Sequence, residues 1–206
     1  MGRKSVFKKR YSDKAIKQKY VIKLLVYFQE NGVQPFSMSK LASDFRISKT
    51  TLYNHFDSKK EMIELALDYK LEIIGEYQSV LENITLSYTE RYRKAMLFFC
   101  VQSYDISSTL LFEIKQYYPD LWLKVIAFQK KVFKNLQSYY QIGIDIQIFT
   151  AKANPVLLSL NDQLFFEYLS NQNANEKKQL DVIEIFTHHC LMRFNGILSI
   201  KANNNN

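Results

Sequence analysis

Between residues 37 and 56 the chain reads SMSKLASDFRISKTTLYNHF, and this run narrows what it can fold into more than any other. Ser37 suits a helix N-cap, because its hydroxyl can accept a hydrogen bond from an unpaired N–H of the first turn. Behind it Met38, Leu41, Ala42 and Phe45 recur at helical spacing and share a face. Ser48 is a second N-cap, opening a helix over 49–56, and Arg46-Ile47 is the tight turn between the two. Leu52 and Phe56 face inward with Ile47. Lys49, Thr50, Tyr53 and Asn54 then fall on the other side. A helix displaying a cation, a hydroxyl, a phenol and an amide can meet phosphates and base edges in a major groove. Two short amphipathic helices also occur in many all-α proteins, so spacing alone does not decide for DNA.

The charge distribution weighs on that choice. Residues 1–60 hold 14 Lys and Arg against 4 Asp and Glu, whereas the whole chain carries a net charge of +8. The positive excess therefore ends where the helix-turn-helix ends. A basic first third on a near-neutral remainder is the footprint of a protein that docks on phosphates. A solvated basic tail accounts equally well for Arg3, Lys4, Lys8, Lys9 and Arg10, but not for where the charge stops.

This part of the chain resembles the DNA-binding domain of the TetR family of bacterial transcriptional regulators. The resemblance starts near Lys14 and is strongest from Val21 to Met62. It comprises an apolar first helix (Val21, Leu24, Leu25, Phe28) ended by Glu30-Asn31-Gly32. It continues with Leu41-Ala42, Ile47-Ser48, Thr51-Leu52-Tyr53, Phe56 and Ser58-Lys59-Lys60-Glu61. Gly32 stands where a helix ends in a left-handed residue, which is easiest without a Cβ. Ser58 with Glu61 reads as a capping box, and the helix start beside Lys59 is a ready anion site. The family usually has Gly at the position of Arg46. A side chain there costs roughly 1 kcal/mol if the conformation is left-handed, which a phosphate contact by Arg46 can offset.

On this reading Lys49, Thr50 and Asn54 lie nearest base edges. Ser37, Tyr53, His55 and Lys59 hold phosphates, and Ser39 can do either. Arg46, Ser48 and Thr51 complete the DNA-binding set. The expected fold is all-α, with an N-terminal three-helix helix-turn-helix domain followed by a larger helical ligand-binding and dimerisation domain. The expected divisions are a flexible basic arm over 1–13, the DNA-binding domain over 14–62, the effector-binding and dimerisation domain over 63–200, and a disordered, Asn-rich tail over 201–206.

Five Gly and three Pro in 206 residues suit long helices with few tight turns. The pattern predicts one helix over 59–86, then helices over 89–102 and 107–116. Pro119 opens a helix whose amphipathic pattern runs over 120–142. A loop follows over 143–153, where the alternating Ile144 to Phe149 has no strand to pair with. A helix from Asn154-Pro155 reaches about 170. A polar connector spans 171–175, and the last helix runs over 176–200. No apolar run approaches the ~18 to 20 residues that span a bilayer. The basic N-terminus has no apolar stretch behind it. The expectation is a soluble, cytoplasmic protein without membrane contact. Cys100 and Cys190 lack metal or redox spacing and sit in apolar runs, as buried thiols do.

Enzymatic chemistry finds no foothold. His188 and His189 are adjacent, so on a helix they point about 100° apart rather than at one metal. The acidic series Glu61, Glu64, Asp68, Glu72 and Glu76 reads as a solvated helix face. No phosphate loop or nucleophile elbow is present, and no metal or cofactor is called for. In the second domain, aromatic residues on three consecutive helices are interrupted by a few polar ones. Phe99, Gln102, Ser103, Phe112, Trp122 and Gln129 are the candidate lining of a pocket for a small hydrophobic or aromatic effector. The last helix is apolar on more than one side. Its row Phe186, Cys190 and Phe194 is the candidate dimer interface, forming with the preceding helix a four-helix contact across a two-fold axis. The partners implied are a double-stranded, palindromic DNA operator, a second copy of the chain and the effector, with repression as the default. The alternative left open is a dimeric regulator on the same scaffold, controlled by a protein partner and no small molecule.

Overall fold

The computed structural model describes residues 14–34, 36–170 and 181–197. The arm over 1–13, the connector over 171–175 and the tail over 201–206 lie outside them. The chain forms two compact units that divide between Lys70 and Leu71. The described elements are helical and run in the order α1 (Lys14–Asn31), α2 (Met38–Asp44), α3 (Lys49–His55), α4 (Lys59–Gly75), α5 (Tyr77–Leu81), α6 (Tyr88–Tyr104), α7 (Ser108–Tyr117), α8 (Pro119–Asp145), α9 (Pro155–Ser170) and α10 (Val182–Ile197). Among the described residues no single helix is long and apolar enough to cross a membrane.

The first unit closes on a small apolar core. Leu24, Leu41, Leu52 and Met62 come one from each of α1 to α4, and each is fully buried. Burying a side chain of this size is worth about 2 kcal/mol. Local devices set the helix ends. Ser37 Oγ accepts from Lys40 N–H at 3.0 Å and Ser48 Oγ accepts from Thr51 N–H at 3.0 Å. Gly32 is left-handed, with φ of 71°, and its N–H donates to Phe28 O at 2.9 Å. Ser58 Oγ caps α4 by accepting from Glu61 N–H at 3.0 Å. The Glu61 carboxylate reaches back to Asp57 N–H at 2.5 Å, and it pairs with Lys17 of α1 at 2.7 Å. Glu61 is thus half-buried and tied down, so the acidic series on α4 is not wholly a solvated face.

The second unit is organised around α6, which packs against α5, α9 and α10, while α8 packs against α7 and α9. The single helix expected over 59–86 is instead two. The ladder stops at Gly75, where Glu76 N–H donates to Ile73 O at 3.2 Å. Gly is a poor helix interior residue, by about 1 kcal/mol relative to Ala. The bend lets Tyr77 turn inward, where it meets Phe99 edge-on and accepts a hydrogen bond from Asn135 at 2.9 Å. A true capping box then starts α6, with Ser87 N–H donating to Glu90 Oε2 at 3.0 Å.

Helix α8 runs past its expected end, through Gly143 to Asp145. There Gln147 adopts φ of 63°, and the N–H groups of Ile148 and Phe149 both donate to Gly143 O at 2.9 Å. The Phe149 ring folds back onto the helix and fills the space a side chain at 143 would need. The expected loop therefore starts later, and its alternating Ile144 to Phe149 pattern is a helix end with one buried aromatic. The last described helix starts at Val182, where Asp181 caps it by accepting from Ile183 and Glu184 N–H; the expected helical stretch over 176–180 lies outside the described residues. Both cysteines are buried, and burial pushes each thiol up to about 12.

A charged cluster holds the middle of this unit together. Asp162 of α9 is fully buried and accepts from Tyr92 Oη at 2.6 Å and Tyr140 Oη at 2.7 Å. Arg193 of α10 pairs with the same carboxylate at 2.8 Å, and His189 lies 3.3 Å from it. Burial, followed by the Asp162 charge, pushes both tyrosine hydroxyls far above their ordinary range. Both therefore stay protonated and donating.

Candidate nucleic-acid interface and ligand cavity

The helix-turn-helix places its polar residues outward. On α3, Leu52 and the following Phe56 are buried, while Lys49, Thr50, Tyr53 and Asn54 are exposed. These four form one open face carrying donors, acceptors and a charge. The other expected contacts divide by what already holds them. Ser37 and Ser48 use their hydroxyls as caps, and Thr51 Oγ1 lies 2.9 Å from Ser48 Oγ. Ser39 is exposed on α2. His55 is half-buried, its ring 5.1 Å from that of Tyr20. Lys59 donates to Phe36 O at 2.8 Å and lies over the Phe36 ring, leaving part of its donor capacity open.

Arg46 decides the turn. Its φ is 55°, the left-handed conformation that strains a residue with a Cβ. The N–H of Arg46 donates to Ser43 O at 3.0 Å and that of Ile47 donates to Ala42 O at 2.9 Å. This pair of bonds is the Schellman closure of a helix C-terminus, in which Gly ordinarily takes the strained position. The structure thus keeps the tight turn and sets an exposed guanidinium at it.

In the second unit the end of α4, with Leu71 and Ile74, and helices α6, α7, α8 and α9 line a cavity of about 390 Å³. Five of the six expected lining residues border it: Phe99, Ser103, Phe112, Trp122 and Gln129. Gln102 does not; one step along α6 from Ser103, it points elsewhere. Helix α9 adds Phe166 and Glu167, which sequence reasoning missed because it drew on three consecutive helices only. The cavity continues into an open groove of about 610 Å³ between α8 and α9, with Gln129, Phe133 and Glu167 common to both.

The expected dimer row is corrected by its burial. Phe186, Cys190 and Phe194 are 2%, 4% and 1% exposed within the single chain. They face Tyr92, Phe149 and Phe166 of their own unit. The offset side of α10 is the open one, with Ile183, Leu191 and Met192 exposed. Helix α9 likewise exposes Val156, Leu157, Leu160 and Leu164. Among the described residues no group of three or more His, Cys, Asp or Glu is placed to hold a metal ion.

Residues 25–66 match the family described as bacterial regulatory proteins, tetR family. The match covers the helix-turn-helix and the start of α4, and leaves the rest of the chain outside it. A curated relative is the uncharacterized HTH-type transcriptional regulator YvaF of Bacillus subtilis (strain 168). It is 32% identical over 98 residues, which cover 47% of this chain and 51% of YvaF. The chain thus spans about half the length of that relative. Solved structures share the fold across both units. A putative transcriptional regulator from Saccharomonospora viridis, in complex with choline, superposes with a TM-score of 0.73 at 14% identity, over 91% of this chain and 100% of that one. AibR, in complex with isovaleryl coenzyme A and operator DNA, superposes with a TM-score of 0.63 at 15% identity, over 85% of this chain and 96% of AibR.

Proposed function

We propose that this chain is a TetR-family, sequence-specific, DNA-binding transcriptional regulator acting in the cytoplasm. It binds a palindromic operator as a homodimer, represses by default, and is released by an effector held in its second unit. The observation that carries the reading is the face of α3, where Lys49, Thr50, Tyr53 and Asn54 stand open opposite a fully buried Leu52. Such a helix can lie in a major groove while its neighbours position it on phosphates.

Pairing is supported by the outward row of α9 and the outer side of α10. Large apolar side chains at 47–74% exposure line both helices, Leu157, Leu164, Leu191 and Met192 among them. One helix-turn-helix contacts too few bases for strong discrimination, and two held about one groove repeat apart read a palindrome. An effector that binds the DNA-free geometry better than the DNA-bound one releases the operator by reciprocal linkage. The open aromatic cavity favours a small molecule over a protein partner as the controlling ligand.

The test starts with an operator selected from a random duplex library. Asn54→Ala and Lys49→Ala should each weaken binding by about 1 to 3 kcal/mol and relax the preference at one or two positions. An unchanged sequence profile for both variants would show that α3 is not the reading helix. Leu157→Glu with Leu164→Glu should sediment as a monomer and lose operator binding. A wild-type chain that is monomeric at ~10 μM, well above the Kd of a stable dimer, would refute the dimeric reading.

A further inference from the structure

We propose that the effector is an amphipathic anion, its apolar body in the aromatic cavity and its carboxylate or phosphate head in the adjoining groove between α8 and α9. The inference rests on the effector reading above and assigns the ligand's charge. The cavity floor is apolar and shut off from water: Ile74, Phe99, Val125 and Phe166 are each under 7% exposed. Such a floor takes an alkyl or aryl group and leaves any charged head unsolvated, so the head must sit elsewhere. The cavity opens into the groove along Gln129 and Phe133. There α8 presents Lys130 and Lys134, one helical turn apart on one face and both exposed. Gln129, Gln137 and Ser159 stand among them as neutral hydrogen-bonding groups.

The one acid of the groove lining is Glu167, and Gln163 already donates to its carboxylate at 2.7 Å. Neither lysine forms an ion pair with a carboxylate of the described residues. Lys134 also lines the next recess along the same seam, with Gln137, Ser138 and Gln141, so the polar track continues beyond the groove. A further lysine, Lys115, borders the cavity but lies over the Trp122 ring, 5.6 Å from its centroid. A cationic head would meet three lysines, Lys115, Lys130 and Lys134, against the one carboxylate of Glu167.

The chain has one tryptophan, and Trp122 lines the cavity, so its emission reports occupancy directly. Octanoate, octyl phosphate, octyltrimethylammonium and octanol share one apolar body and differ in the head. Titrated into the full chain, the two anions should shift Trp122 emission at concentrations about tenfold below that of the cation, with octanol between. Lys130→Gln with Lys134→Gln should remove the anion preference and leave octanol binding unchanged, whereas Lys115→Gln should keep the preference. Tighter binding of the phosphate assigns a phosphate-bearing ligand, and tighter binding of octanoate assigns a free carboxylate. The inference is overturned if the cation binds as tightly as the anions, if the double variant retains the preference, or if Lys115→Gln abolishes it. Octanol binding without an anion preference overturns the charge assignment alone. If none of the four probes changes either Trp122 emission or operator affinity, the effector reading falls with it.

Discussion

The buried carboxylate of Asp162 gives the sharpest test of what holds the second unit together. Asp162→Ala removes one acceptor from each of four groups: the Tyr92 and Tyr140 hydroxyls, His189 and the Arg193 guanidinium. The Arg193 side chain is only 3% exposed. It keeps Leu158 O and Asn161 Oδ1 as acceptors, but loses its counter-charge. Stranding one member of a buried ion pair costs about 3 to 5 kcal/mol. Each tyrosine hydroxyl left without an acceptor adds about 1 kcal/mol or more. These losses share one site and do not sum in full, so about 4 to 6 kcal/mol is expected. That approaches the whole stability of an ordinary domain. Urea unfolding followed by Trp122 fluorescence measures it. Asp162→Leu combined with Arg193→Met should recover much of the loss, because no charge is then stranded. A cost below about 1 kcal/mol for Asp162→Ala, or strict additivity in the double variant, would refute the claim that the ion pair organises this core.

Arg46→Gly should leave stability unchanged or raise it by up to about 1 kcal/mol, the relief of left-handed strain offset by a more flexible unfolded chain. The same change should flatten the log–log salt dependence of operator affinity by about 0.9 if Arg46 neutralises a phosphate; parallel urea and anisotropy measurements separate the two effects. Gly143→Ala places a Cβ on the Phe149 ring, at under 3 Å from the Tyr88 ring as well, and should lower stability by about 1 to 3 kcal/mol, read as a fall in the urea midpoint. For Glu61, burial opposes ionisation, but the bonds from Lys17 and Asp57 N–H outweigh it and hold the carboxyl below its ordinary value. Its stabilisation is therefore present above the unfolded-state pKa and lost as pH falls through the folded one. The stability gap between wild type and Glu61→Gln should close on acidification, and a gap that widens instead would contradict the pairing.

The first unit was readable because its instructions are local. Ser37, Ser48 and Ser58 each act on a backbone N–H three residues ahead, and the Schellman turn at Arg46 is closed by groups of the same short segment. Spacing within the sequence therefore carries the geometry. The second unit depends on residues far apart. Nothing near Gly75 announces that the helix must stop there, since an isolated Gly in a helical pattern is ordinarily tolerated. What makes the stop worthwhile is Tyr77 reaching Phe99 and Asn135, both remote in the chain. The same holds at Gly143, where the reason for the glycine is a ring six residues later that returns to cover it.

The faces of α10 show where periodicity runs out of information. A helix apolar on two sides must be covered on both, but its sequence does not say which cover belongs to the same chain. The row Phe186, Cys190 and Phe194 is claimed by Tyr92, Phe149 and Phe166, so the side left open is the one with Leu191 and Met192. A sharper signal was present in the charges. Asp162 falls on the same face of α9 as the buried Ser159, Phe166 and Leu169, and Arg193 sits beside Phe194 in the buried part of α10. A charge on the core face of one helix requires an opposite charge on the core face of another. Two such interruptions of opposite sign therefore predict that α9 and α10 meet at that point. That pairing also fixes which side of each helix is left uncovered within the chain.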